Sequence, residues 1–232
     1  MNEEKSMWQW VADIFVQYQS YYWIGLKFTL LLAVAGVVLG IALGVVVALL
    51  RLSRFRALRY AAMAYIDFLR STPAIVQVAF FYFGLAPFLP KFPEVFGLPS
   101  QFFYGAIAVG INSSAYVAEI MRAGIQSVDK GQLEAARSLG MPHAMAMRLI
   151  IFPQAIKNII PALGNEFVVV TKETAVVSII GVSDLMYNAG IVRSTTFRGL
   201  EPYLIVMLFY FVIVFTLSKL VGLLERRMRA SD

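Results

Sequence analysis

Long blocks of apolar residues recur along the chain, separated by short polar stretches. Phe28 to Leu50, Ser71 to Pro90 and Phe102 to Ala118 contain no charge at all. Ala155 to Gly181 carries several charges, and Pro202 to Leu224 carries only Lys219. A helix needs roughly 20 apolar residues to cross about 30 Å of hydrocarbon, so the pattern predicts five membrane-spanning helices. No alternating ten-residue pattern of a membrane barrel is present. The expected class is therefore an all-α polytopic membrane protein.

The segments between the blocks have their own patterns. Trp8, Val11, Phe15 and Tyr18 recur at helical spacing. With Trp10, Tyr21, Tyr22 and Trp23 they predict an N-terminal helix on the outer surface, its rings at headgroup level. Glu3, Glu4 and Asp13, and the lack of an apolar run ending in small residues, do not fit a signal peptide. Ser53 to Arg70 mixes arginines and Asp67 with apolar residues and runs into Thr72-Pro73. Proline lacks a backbone donor and disfavours helix in the residue before it, which predicts an amphipathic helix and then a break near Pro73. The loop 84–101 carries Pro87, Pro90, Pro93 and Pro99 and reads as a short ordered connection. The predicted organisation is an outer interfacial segment 1–24, one transmembrane domain 25–224, and a tail 225–232.

Composition narrows the function. Of 232 residues, 59% are hydrophobic and 15% charged, with a mean hydropathy of +0.72. A soluble fold of this length could not bury so much apolar surface, which excludes a soluble enzyme. Cysteine is absent and His143 is the sole histidine, so thiolate chemistry is excluded and no metal centre is expected. The net charge of +6 is a topology signal, and no nucleic-acid partner is expected. Residues 51–59 hold four arginines, 122–157 five basic residues, and 219–232 four. The other side holds Lys5, Lys91, Arg193 and Arg198. By the positive-inside rule the first set is cytoplasmic, placing the N-terminus outside and the C-terminus inside.

The cytoplasmic stretch between the third and fourth spans, about 35 residues, is long for this chain. Asp129 can cap a helix through Leu133, Glu134, Ala135 and Ala136, with Gln132 three residues on. Gly140 can supply the left-handed residue that ends it. Pro142 suits the first turn of a second helix, expected to stop near Pro153. Such an elbow, with a small-residue face, can be a docking device or an ordinary surface helix. His143 reads as a surface residue of this elbow.

Glu134-Ala135-Ala136, Gly140, Ile150, Phe152 and Pro153 resemble the EAA loop of ABC importer permeases, with Phe152 where the family pattern has leucine. The stretches Gly25-Leu26, Thr29-Leu30, Arg51-Leu52-Ser53, Tyr65-Ile66-Asp67 and Arg70-Ser71-Thr72-Pro73 resemble the polar amino acid branch, which includes histidine, arginine and glutamine permeases. Asn112 through Arg122, Leu163 through Phe167, and Lys172-Glu173-Thr174 do so as well. The likeness covers about residues 20–230 in one order.

The resemblance implies a type I importer in the bacterial cytoplasmic membrane. Two permease chains, either identical or paralogous, would pair with two ABC ATPase subunits and an extracytoplasmic amino-acid-binding protein. The elbow within 123–153 would be the coupling helix, through Glu134, Ala135, Ala136, Gly140 and Pro153. No GxxxxGK[ST] phosphate loop occurs, so ATP and Mg are expected on the partner ATPase. The chain itself is expected to be a transport subunit with no catalytic residue and no cofactor.

Charges at bilayer depth cost about 2.5–3.5 kcal/mol each on insertion scales and mark partners or wet cavities. Asp67 and Arg70, three apart, can pair on one face, or Asp67 can contact substrate. Glu119 has Arg122 three residues on, and Lys27 is expected to snorkel. Glu166 has no cation three or four positions away and shares a face with Glu173. A surplus carboxylate facing a cavity suits a cationic amino acid; alternatively Glu166 hydrogen-bonds another helix or the second protomer. Asn112, Ser113 and Ser114 offer groups for an amino-acid headgroup or for helix contacts, and Thr72 and Gln77 are weaker candidates. A glutamine, glutamate or broad polar amino acid importer is the alternative cargo. An ATP-independent secondary transporter is the different class, for which paired interrupted repeats are missing.

Overall fold

The computed structural model describes residues 5–229. The first four residues of the N-terminal segment and the last three of the tail lie outside the described residues. The α-helices are α1 (Met7–Arg51), α2 (Arg56–Ser71), α3 (Ala74–Ala79), α4 (Ser100–Gln126), α5 (Lys130–Ser138), α6 (His143–Ala146), α7 (Phe152–Glu173), α8 (Leu185–Thr196) and α9 (Glu201–Arg229).

A reciprocal capping box starts α1: Gln9 N–H donates to Ser6 Oγ, and Ser6 N–H donates to Gln9 Oε1. The helix then runs for 45 residues, about 68 Å at 1.5 Å per residue. Its backbone leaves the helical region only at Tyr18 (φ −114°, ψ 18°). The expected surface segment and the first span are thus one kinked helix, and residues 24 and 25 lie within it. Val11, Phe15 and Tyr18 pack on a core of Ile14, Tyr22, Leu185, Val192 and Ile205, while Trp8 and Trp23 are exposed.

The same helix packs along α4 at close range, and glycines on both helices permit it. A Cβ at Gly36 would come within 2.6 Å of Val109, one at Gly40 within 2.8 Å of Ser113, and one at Gly44 within 2.6 Å of Val117. In return, Gly110 on α4 leaves room for Leu39. Spacing four residues apart on each side forms a continuous seam, so α4 is the partner of this small-residue face.

α2 ends where Thr72 (φ −114°, ψ 142°) and Pro73 are extended, and the chain turns by 107° into Ala74–Phe88. The break falls where Pro73 restricts its predecessor. α3 then passes through a π-helical stretch, Phe80–Leu85, and a 3-10 turn, Ala86–Phe88. Among the described residues, three helical runs are long and apolar enough to cross a membrane: Met7–Arg51, His143–Ile180 and Glu201–Met228. The bent pair is a fourth candidate. α4 is less apolar because of Asn112, Ser113, Ser114 and Glu119, yet its 27 residues span about 40 Å. Its three central polar residues are buried in protein, which removes the need for an apolar surface there.

The second helix of the elbow does not stop near Pro153. α6 continues through a π turn, Met147–Ile151, into α7, which carries Pro153 near its start and Pro161 inside. The π turn lets Phe152 N–H reach back to Met147 O. Pro153 follows in the first turn of α7, where a missing N–H is tolerated.

Candidate functional site

Consecutive residues on a helix point about 100° apart, and α4 uses this to send Asn112, Ser113 and Ser114 to different neighbours. Ser113 faces the seam between α1 and α7. Its hydroxyl donates to Glu166 Oε1 at 2.8 Å. Ser113 is fully buried and Glu166 is 7% exposed. No ion pair reaches Glu166 among the described residues. An unpaired carboxylate is costly to bury, because one hydroxyl replaces only part of its hydration. The group therefore has unused capacity for a cation. Glu173, seven residues on, is half-buried on the same helix.

Asn112 points to the broken helix instead. Its Nδ2 donates to Gln77 Oε1 at 3.0 Å. Gln77 Nε2 in turn reaches Leu69 O at 2.7 Å, Thr72 O at 3.0 Å and Thr72 Oγ1 at 2.7 Å. The Thr72 hydroxyl donates to Phe68 O. These bonds satisfy carbonyls that the break leaves without helical partners, and they tie it to α4. Beside them lies an open groove of about 370 Å³, apolar apart from Thr72 and Gln77. Glu166 is not part of its wall. Ser114 bonds Ile111 O within its own helix and Tyr65 Oη at 2.8 Å on α2.

The expected Asp67–Arg70 pair does not form. Asp67 is exposed and makes no hydrogen bond or ion pair among the described residues, and Arg70 lies over the Tyr116 ring at 5.5 Å. Spacing permitted the pair, but Tyr116 of α4 offers Arg70 a face within reach. Glu119 does hold Arg122, at 2.8 Å. It also pairs with Arg51, closing the end of α1 onto α4.

The first helix of the elbow and the turn that ends it form where their residues suggest. Asp129 Oδ1 accepts from Gly131 N at 2.7 Å at the start of α5. Gly140 (φ +84°) ends it with Gly140 N bonded to Arg137 O and Met141 N to Ala136 O, the paired bonds of a Schellman turn. Ala136 is buried under the turn, while Glu134, Ala135, Gly140 and His143 are exposed. Leu139, 85% exposed at the tip, was missed from sequence. Its signal is a large apolar residue directly before the left-handed glycine.

This combination, polar residues buried in a membrane bundle beside an exposed helical elbow, agrees with the comparisons. Residues 36–230 match the family model described as "Binding-protein-dependent transport system inner membrane component". The chain belongs to that family. It is 40% identical over 209 residues to the arginine transport system permease protein ArtQ of Bacillus subtilis (strain 168), covering 90% of this chain and 92% of that one. It is 41% identical over 212 residues to the probable glutamine ABC transporter permease protein GlnM of the same organism, covering 91% and 95%. Its fold matches a chain in the crystal structure of an amino acid ABC transporter with histidines, at TM-score 0.85 and 50% identity over 92% of this chain and 96% of that one. The inward-facing MetNI methionine ABC transporter matches at TM-score 0.67 and 16% identity over 93% and 96%, a likeness of fold. The chain is the permease of an amino acid ABC importer. It is a transport subunit, and these relatives are named as permease proteins.

Proposed function

We propose that this permease carries cationic amino acids, and that the buried Glu166 reads their charge. The observation that supports this is the Glu166 carboxylate, nearly sealed from solvent, held by Ser113 and without a cation. A substrate ammonium or guanidinium would restore the partner that burial demands. The arginine transporter among its relatives fits this reading. Glu173, on the same face of α7, is the group best placed to help it, while Asn112 and Ser114 flank Ser113 in sequence but bond Gln77 and Tyr65. Asp67, exposed and away from this bonding network, is the weakest of the proposed substrate contacts. A glutamine-type cargo is the second reading, favoured by the equally similar glutamine permease.

Transport is driven, on this proposal, by two ATPase subunits that bind ATP and Mg and seat the elbow through Glu134, Ala135 and Leu139, with Ala136 packed beneath the turn to hold its shape. Gly140 sets its turn, and Pro153 starts the helix that carries motion toward Glu166. A second permease chain completes the pathway, and a binding protein delivers substrate on the outer side. The positive-inside rule applied to the basic segments supports a cytoplasmic elbow and C-terminus and an outer N-terminus.

The test is Glu166→Gln, which keeps the volume and a hydrogen bond with Ser113 while removing the charge. Uptake of arginine should fall at least about tenfold, the equivalent of 1.4 kcal/mol, while any glutamine uptake is spared. Equal effects on both substrates would refute charge reading by Glu166.

A further inference from the structure

We infer that the arginine-rich turn between α1 and α2 is a headgroup site for anionic phospholipid of the cytoplasmic leaflet. The stretch from Arg51 to Tyr60 reads RLSRFRALRY. Arg51 is committed to Glu119. Arg54, Arg56 and Arg59 have no carboxylate partner among the described residues. Two of the three instead lie over neighbouring rings, Arg54 over Phe55 at 5.2 Å and Arg59 over Tyr60 at 5.7 Å.

The apolar side chains among and beside them are exposed. Leu52 is 51% exposed, Phe55 59%, Leu58 43% and Tyr60 60%. Along α2 only Ala62, Ile66 and Leu69 are buried. The exposed surface continues without interruption into the first span, whose last residues Leu49 and Leu50 are also exposed. An apolar surface leading directly into a run of arginines interleaved with aromatic residues matches the boundary between acyl chains and phosphates. Aromatic rings settle at that level, and guanidinium groups bind phosphate oxygens in pairs. A soluble phosphate would meet the charges but leave the leucines and rings in water.

The leaflet assignment rests on the orientation proposed above. The headgroup site itself rests on the uncompensated arginines and their apolar neighbours. Each basic residue near an anionic surface contributes about a fivefold gain in partition, so three should produce a preference of at least about tenfold.

The experiment uses the permease–ATPase assembly purified in detergent and exposed to equal phosphatidylglycerol and phosphatidylcholine. Retained lipid is counted by native mass spectrometry. The wild type should retain phosphatidylglycerol by at least about tenfold, the R54Q/R56Q/R59Q variant should lose that preference, and R54K/R56K/R59K should keep most of it. A glutamine variant that retains phosphatidylglycerol like wild type overturns the site, as does a lysine variant that loses it. A glutamine variant that keeps its lipid but sheds the ATPase overturns it in favour of a protein partner. Orientation is read separately. The chain has no cysteine, so in the permease expressed without its ATPase, where the elbow is uncovered, Ser138→Cys would be the sole thiol. Its labelling from the cytoplasmic side supports the leaflet assignment, and labelling from outside refutes the orientation and that assignment together.

Discussion

Gly40 on α1 and Ser113 on α4 lie so close that a Cβ at position 40 would come within 2.8 Å of the Ser113 hydroxyl. That hydroxyl is the hydrogen-bond partner of Glu166. The helix seam and the candidate site therefore share an atom, and the absence of one methyl group on α1 leaves Ser113 free to face α7.

Gly40→Val should displace Ser113 and force the helices apart, costing about 1–3 kcal/mol, as overpacking does. The Tm of the detergent-purified assembly should fall, and transport with it. Gly190→Ala is the control, since nothing lies within 4 Å of a Cβ there; its Tm should hold or rise slightly. Equal melting of Gly40→Val and wild type would show that the seam is not tight.

The glycine face of α1 lies open in the sequence, where Gly36, Gly40 and Gly44 repeat at helical spacing. The facing residues Val109, Ser113 and Val117 were not legible, since the rotation of one helix against another is settled by tertiary packing. For the same reason the Ser113–Glu166 bond, joining residues 53 apart, left no trace in local pattern. Glu119 and Arg122 were readable as neighbours on one helix, whereas Arg51 reaches Glu119 only through the fold. Asp67 and Arg70 show the converse, a permitted spacing that a neighbouring ring overrode. Pro153 misled as a stop signal because a π turn absorbs the missing donor.

The elbow depends on a backbone that proline cannot adopt. Gly140 sits at φ +84°, whereas proline is held near −65°. Gly140→Pro, or a bulky residue at the exposed Ala135, should lower ATP-driven uptake at least about tenfold (1.4 kcal/mol of coupling) while leaving membrane insertion intact. ATP hydrolysis and uptake measured together in proteoliposomes check this. Normal ATP-driven uptake would sink the docking role.

Asp184 starts α8 beside the Leu185–Thr29 bond that ties this helix to α1, and it brings a pH dependence. Its carboxylate caps α8 by accepting from Tyr187 N at 2.9 Å, and its second oxygen is buried without a partner. Burial raises its pKa from 3.8 to about 7, against the opposing pull of backbone hydrogen bonds. The folded state thus binds the proton more tightly than the unfolded chain. Its stabilising effect is full below about pH 4 and is lost as pH rises toward 7, a slope of up to 1.4 kcal/mol per pH unit. Asp184→Asn keeps an N-cap oxygen and should flatten the Tm between pH 4 and 7. An unchanged slope in that variant would assign the dependence elsewhere.

ATP-driven transport of a cationic amino acid through this chain is tested most directly in a reconstituted assembly. Labelled arginine and glutamine are supplied to proteoliposomes holding the permease, its copurified ATPase and its binding protein, with and without ATP. Uptake is expected only with ATP, with arginine exceeding glutamine. Uptake that persists without ATP in a verified assembly, or glutamine exceeding arginine, would contradict this expectation.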